Sequence, residues 1–205
     1  MGEVIKQRLH YLDNLKGFAI LMVILGHCVQ YRIAGYEYNL IFRIVYSFHM
    51  PLFFMISGYL SHKSSPSIIS IIRKRAYQLL IPYFCFGIYK CLSDGLPLYT
   101  LFTDVGNFLW FLWALFFINS IVVLLDCHFG TQPKRFICYS VMLVFVLMIG
   151  AKVLPSDILG TKLICMNLQY FLVGYVLHKF DIVSKINRSL LFFLVPASIV
   201  MMYFW

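Results

Sequence analysis

The chain has 205 residues, of which 61% are hydrophobic and 12% charged, about half the charged share of roughly 25% in an ordinary soluble domain. With 20 Phe, 14 Tyr and a mean hydropathy of +0.84, it carries more apolar surface than a water-borne globule of this size can bury. Disorder, a collagen repeat and a disulfide-stapled secreted fold are excluded by the same composition, and the formal charge of +9 reads as membrane topology and attraction to anionic headgroups, with no need for nucleic acid.

An all-α fold follows, a polytopic bundle of about seven transmembrane helices. A span needs about 20 mostly apolar residues. Such windows run from Leu15 to Ile33, Leu40 to Ser61, Ala76 to Leu92, Asn107 to Leu125, Phe136 to Leu154, Leu163 to Lys179 and Leu190 to Trp205. The third and sixth are short, and the seventh stops inside its apolar run. The windows are apolar on every face, unlike the alternating strands of a membrane barrel, and backbone satisfaction in lipid then demands helices. With the N-terminus cytoplasmic, twelve of the 17 Lys and Arg fall on inner segments and four (Arg32, Lys90, Lys152, Lys162) on outer loops, the bias of the positive-inside rule. Arg43, three residues into the second span, is close enough to its end to snorkel. The first span is too long for a cleaved signal peptide, no internal repeat is visible, and the six Cys are scattered without metal spacing. A multi-pass protein of a cell membrane, the bacterial inner membrane, is expected.

All eight acidic residues lie at span edges or in loops, which excludes carboxylate acid/base chemistry at mid-membrane. Ionisable groups inside spans are costly and point to function by default, and the informative ones are His27 and His49. His27 lies 12 residues after Leu15 and His49 lies 9 after Leu40, about 18 Å and about 13 Å from opposite faces at 1.5 Å per residue. Two imidazoles at similar depth on sequential helices suit proton transfer near neutral pH; the plainer reading is a pair of hydrogen-bonded structural histidines. Lys16 precedes His27 by 11 residues and shares its stripe of the first helix, so a cation at the cytoplasmic rim and a base deeper in suit a long anionic cofactor. A snorkelling anchor, with Asp13 or Asn14 as N-cap, explains Lys16 as well. Arg73, Lys74 and Arg75 follow the segment from Ser64 to Ser67; adjacent cations can hold phosphates, and positive-inside topology also puts cations there.

The stretch Asp13-Asn14-Leu15-Lys16-Gly17-Phe18-Ala19-Ile20, ending Val23-Ile24-Leu25-Gly26-His27, resembles the first helix of the acyltransferase 3 family of integral membrane acyltransferases. Ser47-Phe48-His49-Met50-Pro51-Leu52-Phe53-Phe54-Met55-Ile56-Ser57-Gly58-Tyr59-Leu60 is similar to that family's most recognisable block. Arg75 with Leu79 to Phe84, Leu109 to Leu112, and Gln169 to Tyr175 match in order and spacing. The resemblance implies one acyltransferase 3-like membrane domain over residues 1–205, corresponding to the N-terminal two thirds of the usual length. It implies transfer of an acyl group, commonly acetyl, from cytoplasmic acyl-coenzyme A to a hydroxyl or amine of a carbohydrate-like or lipid-linked sugar acceptor. His27 takes the place of the catalytic histidine, and Lys16 that of a basic residue for which many members have Arg. The family's paired Arg of the basic motif departs here, since Arg75 is followed three residues later by Gln78.

The resulting expectation is an enzyme in which His27, with His49 nearby, serves the acceptor, Lys16, Arg73, Lys74 and Arg75 hold acetyl-coenzyme A or another acyl-coenzyme A, and no metal takes part. Membrane lipid is the surrounding partner. The alternative is a non-catalytic membrane component, an inactive truncated chain or a subunit of a lipid-sugar exporter, motivated by the shortened length and by the lack of an acid to orient an imidazole. A proton-coupled transporter fits less well without intramembrane carboxylates.

Overall fold

A computed structural model describes residues 10–61, 67–153 and 158–182. Seven helices and no strand occur among the described residues: α1 His10–Arg32, α2 Leu40–Ser61, α3 Ile68–Asp94, the single turn α4 Thr100–Thr103, α5 Trp110–Phe129, α6 Pro133–Val153 and α7 Thr161–Lys179. Four are long and apolar enough to cross a membrane, over Asp13–Arg32, Leu40–Ser61, Trp110–Phe129 and Pro133–Ala151. The expected third and sixth spans are the helices α3 and α7, and the seventh, Leu190 to Trp205, lies outside the described residues.

α7 is less apolar than these four because it faces protein. It packs against α2, α5 and α6, and its contact with α2 is the most extensive in the bundle. Its Asn167 is buried and donates Nδ2 to the Leu163 carbonyl at 2.8 Å, so a polar group is tolerated where lipid does not reach. Two glycines set the α2–α7 spacing. A Cβ on Gly58 would fall on the Phe171 carbonyl and one on Gly174 on the Met55 carbonyl, so only bare backbone lets the helices approach this closely. The core grows outward from that seam through Phe54, Ile118, Val122, Phe136, Leu168, Phe171 and Tyr175. A second cluster, Tyr83, Val105 and Trp113, joins α3 to α5.

Polar ties hold both ends of the bundle. At the end where α1 begins, Lys179 of α7 pairs with Asp126 of α5 and lies 4.5 Å from the Phe136 ring, and His178 donates to the Tyr59 carbonyl of α2. At the opposite end the Tyr83 hydroxyl donates to the Leu101 carbonyl at 2.6 Å and the Trp113 indole to the Leu159 carbonyl at 2.9 Å. The latter bond holds a turn in which Leu159, a branched residue, sits at φ 60, a costly conformation without such a tie.

Two local expectations change. Helix α1 is described from His10 onward, so Asp13 lies within it, paired with Lys16 at 3.7 Å, and neither it nor Asn14 is the N-cap. Helix α3 starts at Ile68, eight residues before the expected span. The basic triplet is therefore helical, and neighbouring residues, turned about 100° from one another, point in different directions.

Candidate functional site

Five helices meet around a cavity of about 250 Å³. Lys16 comes from α1, Ser57 and Leu60 from α2, Arg75 and Leu79 from α3, Leu115 and Asn119 from α5, and Phe171 from α7. The close α2–α7 seam brings Ser57 and Phe171 to one wall, since Gly58 packs on the Phe171 backbone. Leu79 is buried, Arg75 half-buried, and burial lowers the Arg75 guanidinium below the usual arginine pKa while leaving it a cation. The Lys16 side chain is 42% exposed and has the Asp13 carboxylate as its ion-pair partner. Two cations from different helices thus line one partly apolar cavity; Lys16 has Asp13 as counter-charge, and the half-buried Arg75 is the one whose charge, partly withdrawn from water, favours an anion there.

Asn119 is the unexpected lining residue. It sits mid-way along α5, is 3% exposed, and its Oδ1 has no hydrogen-bond partner. A composition-based reading passes over a single Asn in the most apolar helix; the signal was there, because a polar side chain inside a span needs a partner.

The triplet divides. Arg75 lines the five-helix cavity, while Arg73 and Lys74 line an open depression of about 630 Å³ on the outer side of α3 with Ser67, Ser70, Tyr77 and Gln78. There the Arg73 guanidinium lies 5.8 Å from the Tyr77 ring centroid. Lys16 and Arg75, 59 residues apart in sequence, are the expected binding residues that the fold brings together; Arg73 and Lys74 do not join them.

The two histidines sit on the facing helices α1 and α2 with Tyr46 between them. The His27 and Tyr46 ring centroids are 6.5 Å apart, those of Tyr46 and His49 4.8 Å. Gly26 makes this possible, because a Cβ there would come within 2.8 Å of the Tyr46 ring. His49 is buried and its Nδ1 donates to the Val45 carbonyl at 2.7 Å. His27 is exposed and its Nδ1 donates to Gln30 Oε1 at 3.2 Å, an oxygen that also accepts from the Tyr46 hydroxyl at 2.8 Å. Both acceptors are pure acceptors, so each neutral ring carries its proton on Nδ1 and its lone pair on Nε2. The orienting acid that the sequence lacks is replaced by an amide one turn away and by a backbone carbonyl. His27 is not part of the cavity wall: it shares the α1 stripe with Lys16 but lies about 16 Å further along the helix. Among the described residues no three His, Cys, Asp or Glu side chains come together as a metal site would require.

These features define an all-α membrane helix bundle with a cationic cavity among five of its helices. The acyltransferase domain model matches residues 9–205, and the chain belongs to that family. It is 38% identical over 122 residues to the nodulation protein NolL of Mesorhizobium japonicum, covering 51% of this chain and 32% of that protein. It is 30% identical over 161 residues to the NolL of Sinorhizobium fredii, covering 70% of this chain and 43% of that protein. The chain therefore spans less than half the length of these curated relatives. No solved structure matches.

Proposed function

We propose that the chain acts in a membrane acyltransferase that moves an acyl group, acetyl in the first instance, from cytoplasmic acyl-coenzyme A to a hydroxyl or amine of a carbohydrate-like acceptor. The observation that carries this reading is the pairing of Lys16 and Arg75 in one cavity, in a chain of the acyltransferase family. With the N-terminus cytoplasmic, as the Lys and Arg distribution supports, the cavity opens on the side where coenzyme A is found. Its phosphates lie against Lys16 and Arg75, with Arg73 and Lys74 on the neighbouring face of α3 as an outer electrostatic approach. The acyl-bearing arm then runs along α1 toward His27, about 16 Å away.

His27 Nε2 carries the lone pair because Gln30 holds the ring proton on Nδ1. It takes the acceptor's proton as the acceptor oxygen or nitrogen attacks the thioester carbonyl. The new C–O or C–N bond forms, the C–S bond breaks, and the imidazolium returns its proton to the departing thiolate. His49 acts from behind Tyr46, whose ring it packs against.

The test is turnover of labelled acetyl-coenzyme A by the purified chain, native against His27→Ala. A fall of about 10²- to 10⁴-fold, the range for a general base, is expected with the helical fold intact, since His27 is an exposed side chain. Equal turnover in the two proteins overturns the assignment. A second reading is a component that binds donor without transferring it, favoured by the distance between His27 and the cavity; coenzyme A binding without turnover in the native chain is its signature.

A further inference from the structure

We propose that Asn119 is a binding residue for the donor, its Oδ1 accepting an amide N–H of the pantetheine arm while Lys16 and Arg75 hold the phosphate end. The proposal rests on the reading of the cavity as an acyl-coenzyme A site and names the contact that reads the arm.

Asn119 is one of two buried side-chain groups among the described residues with an unpartnered polar atom, and it is the one that lines the cavity. A mid-helix Asn with an unmet acceptor destabilises a membrane bundle unless something supplies the missing donor. The α5 residues one turn to either side, Leu115 and Val123, have no donor side chains, and the donors that share the cavity, Ser57, Lys16 and Arg75, make no bond to Oδ1. The donor therefore arrives with the occupant. That occupant must be anionic at one end, to suit Lys16 and Arg75, and must offer an N–H or O–H a short reach away. A phosphorylated chain bearing secondary amides meets both demands, and phosphopantetheine is such a chain. A bare nucleotide also carries O–H and N–H donors, on its ribose and base, so its binding beside that of coenzyme A decides whether Asn119 reads the arm.

The experiment measures dissociation constants for coenzyme A and for adenosine 3′-phosphate 5′-diphosphate, which keeps all three phosphates and lacks the arm, with the full chain in detergent and again in vesicles containing phosphatidylethanolamine. The native chain binds coenzyme A about tenfold or more tightly than the arm-free nucleotide, a comparison that needs no variant. Asn119→Leu loses that advantage, about tenfold for coenzyme A, the factor of one unmade hydrogen bond, and leaves binding of the arm-free nucleotide unchanged. Its melting temperature without ligand does not fall, because the substitution removes an orphaned acceptor, whereas an Asn with a structural role would lower it. Lys16→Met weakens both ligands. Coenzyme A bound equally by the native chain and Asn119→Leu overturns this inference and leaves the donor site standing. Phosphatidylethanolamine displacing coenzyme A from the native chain but not from Asn119→Leu overturns it in favour of a lipid headgroup. No binding of coenzyme A by the native chain removes the donor reading and the inference with it.

Discussion

The α2–α7 seam and the α1–α2 contact are built from the same kinds of residue and reach opposite states. At the seam, Gly58 and Gly174 each lie against the facing helix's backbone, and the surrounding Phe54, Leu168, Phe171 and Leu172 are buried. On α1, only Ala19, Gly26 and Val29 are buried among residues 13–32, the contact with α2 passes through side chains such as Phe18 stacked on Phe48, and Gly17 has no neighbour within 4 Å. In the more recognisable block of sequence, Ser47 to Leu60, the C-terminal part around Ser57 and Gly58 is a packing device that presents one wall of the cavity. The sparser α1 holds two of the residues proposed for the chemistry, Lys16 and His27. Tight packing fixes where the cavity is, and the looser helix leaves His27 Nε2 accessible.

The largest effect is expected at the seam. Gly58→Ala or Gly174→Ala places a methyl on backbone that cannot rotate away, so the two helices must part. The expected loss is about 3 kcal/mol or more, the upper end of overpacking costs, read as a fall in detergent melting temperature or as failure to accumulate folded protein. Native-like stability in both variants removes the seam as the organising contact.

The seam also marks the limit of what was legible. Helix class, the α2 boundaries and most of the α5 to α7 boundaries follow from apolar windows, because hydrocarbon thickness imposes length and lipid imposes composition. The start of α3 did not follow. The apolar window begins at Ala76, but the helix continues back through Arg73, Lys74 and Arg75, since charged residues are good helix formers and end only the apolar stretch. That extension is what separates Arg75 from its two neighbours and gives it to the cavity. Lys16 was legible as a candidate from its spacing to His27, yet its partnership with Arg75 depends on how α1 and α3 sit across α2 and α5, which no local pattern encodes. The Asp126–Lys179 pair was hidden for the same reason: each residue looks like an ordinary span edge, and only the neighbouring positions of α5 and α7 bring them together. Gln30 carries no charge to mark it in the sequence, yet a neutral amide three residues on orients the imidazole at less cost in lipid than an acid would.

A smaller effect is expected where the looser side holds its histidine. Gln30→Leu removes the acceptor shared by His27 and Tyr46 and frees the imidazole to take the other tautomer. Under the acyltransferase reading, turnover falls about tenfold, the lower end for loss of an orienting partner, with the fall in kcat and little change in KM. Gln30→Glu keeps the acceptor oxygens and restores most of the rate. A Gln30→Leu chain with native kcat detaches the amide from the chemistry.

The smallest effect gives the sharpest contrast, because it repeats the seam's substitution on the open side. Gly17 lies in the interior of α1, exposed, and an added Cβ meets nothing within 4 Å. Glycine costs a helix interior about 0.5–1 kcal/mol relative to alanine, so Gly17→Ala raises stability by about that amount while the same change at Gly58 is ruinous. The reason is local: at Gly58 the space is taken by another helix's backbone, and at Gly17 by solvent or lipid, which yields. If Gly17→Ala lowers stability instead, a surface that the described residues do not supply packs against that face of α1. If stability rises but coenzyme A binding falls, the occupant itself passes over Gly17 on its way from Lys16 toward His27, and the glycine is kept for its lack of a side chain.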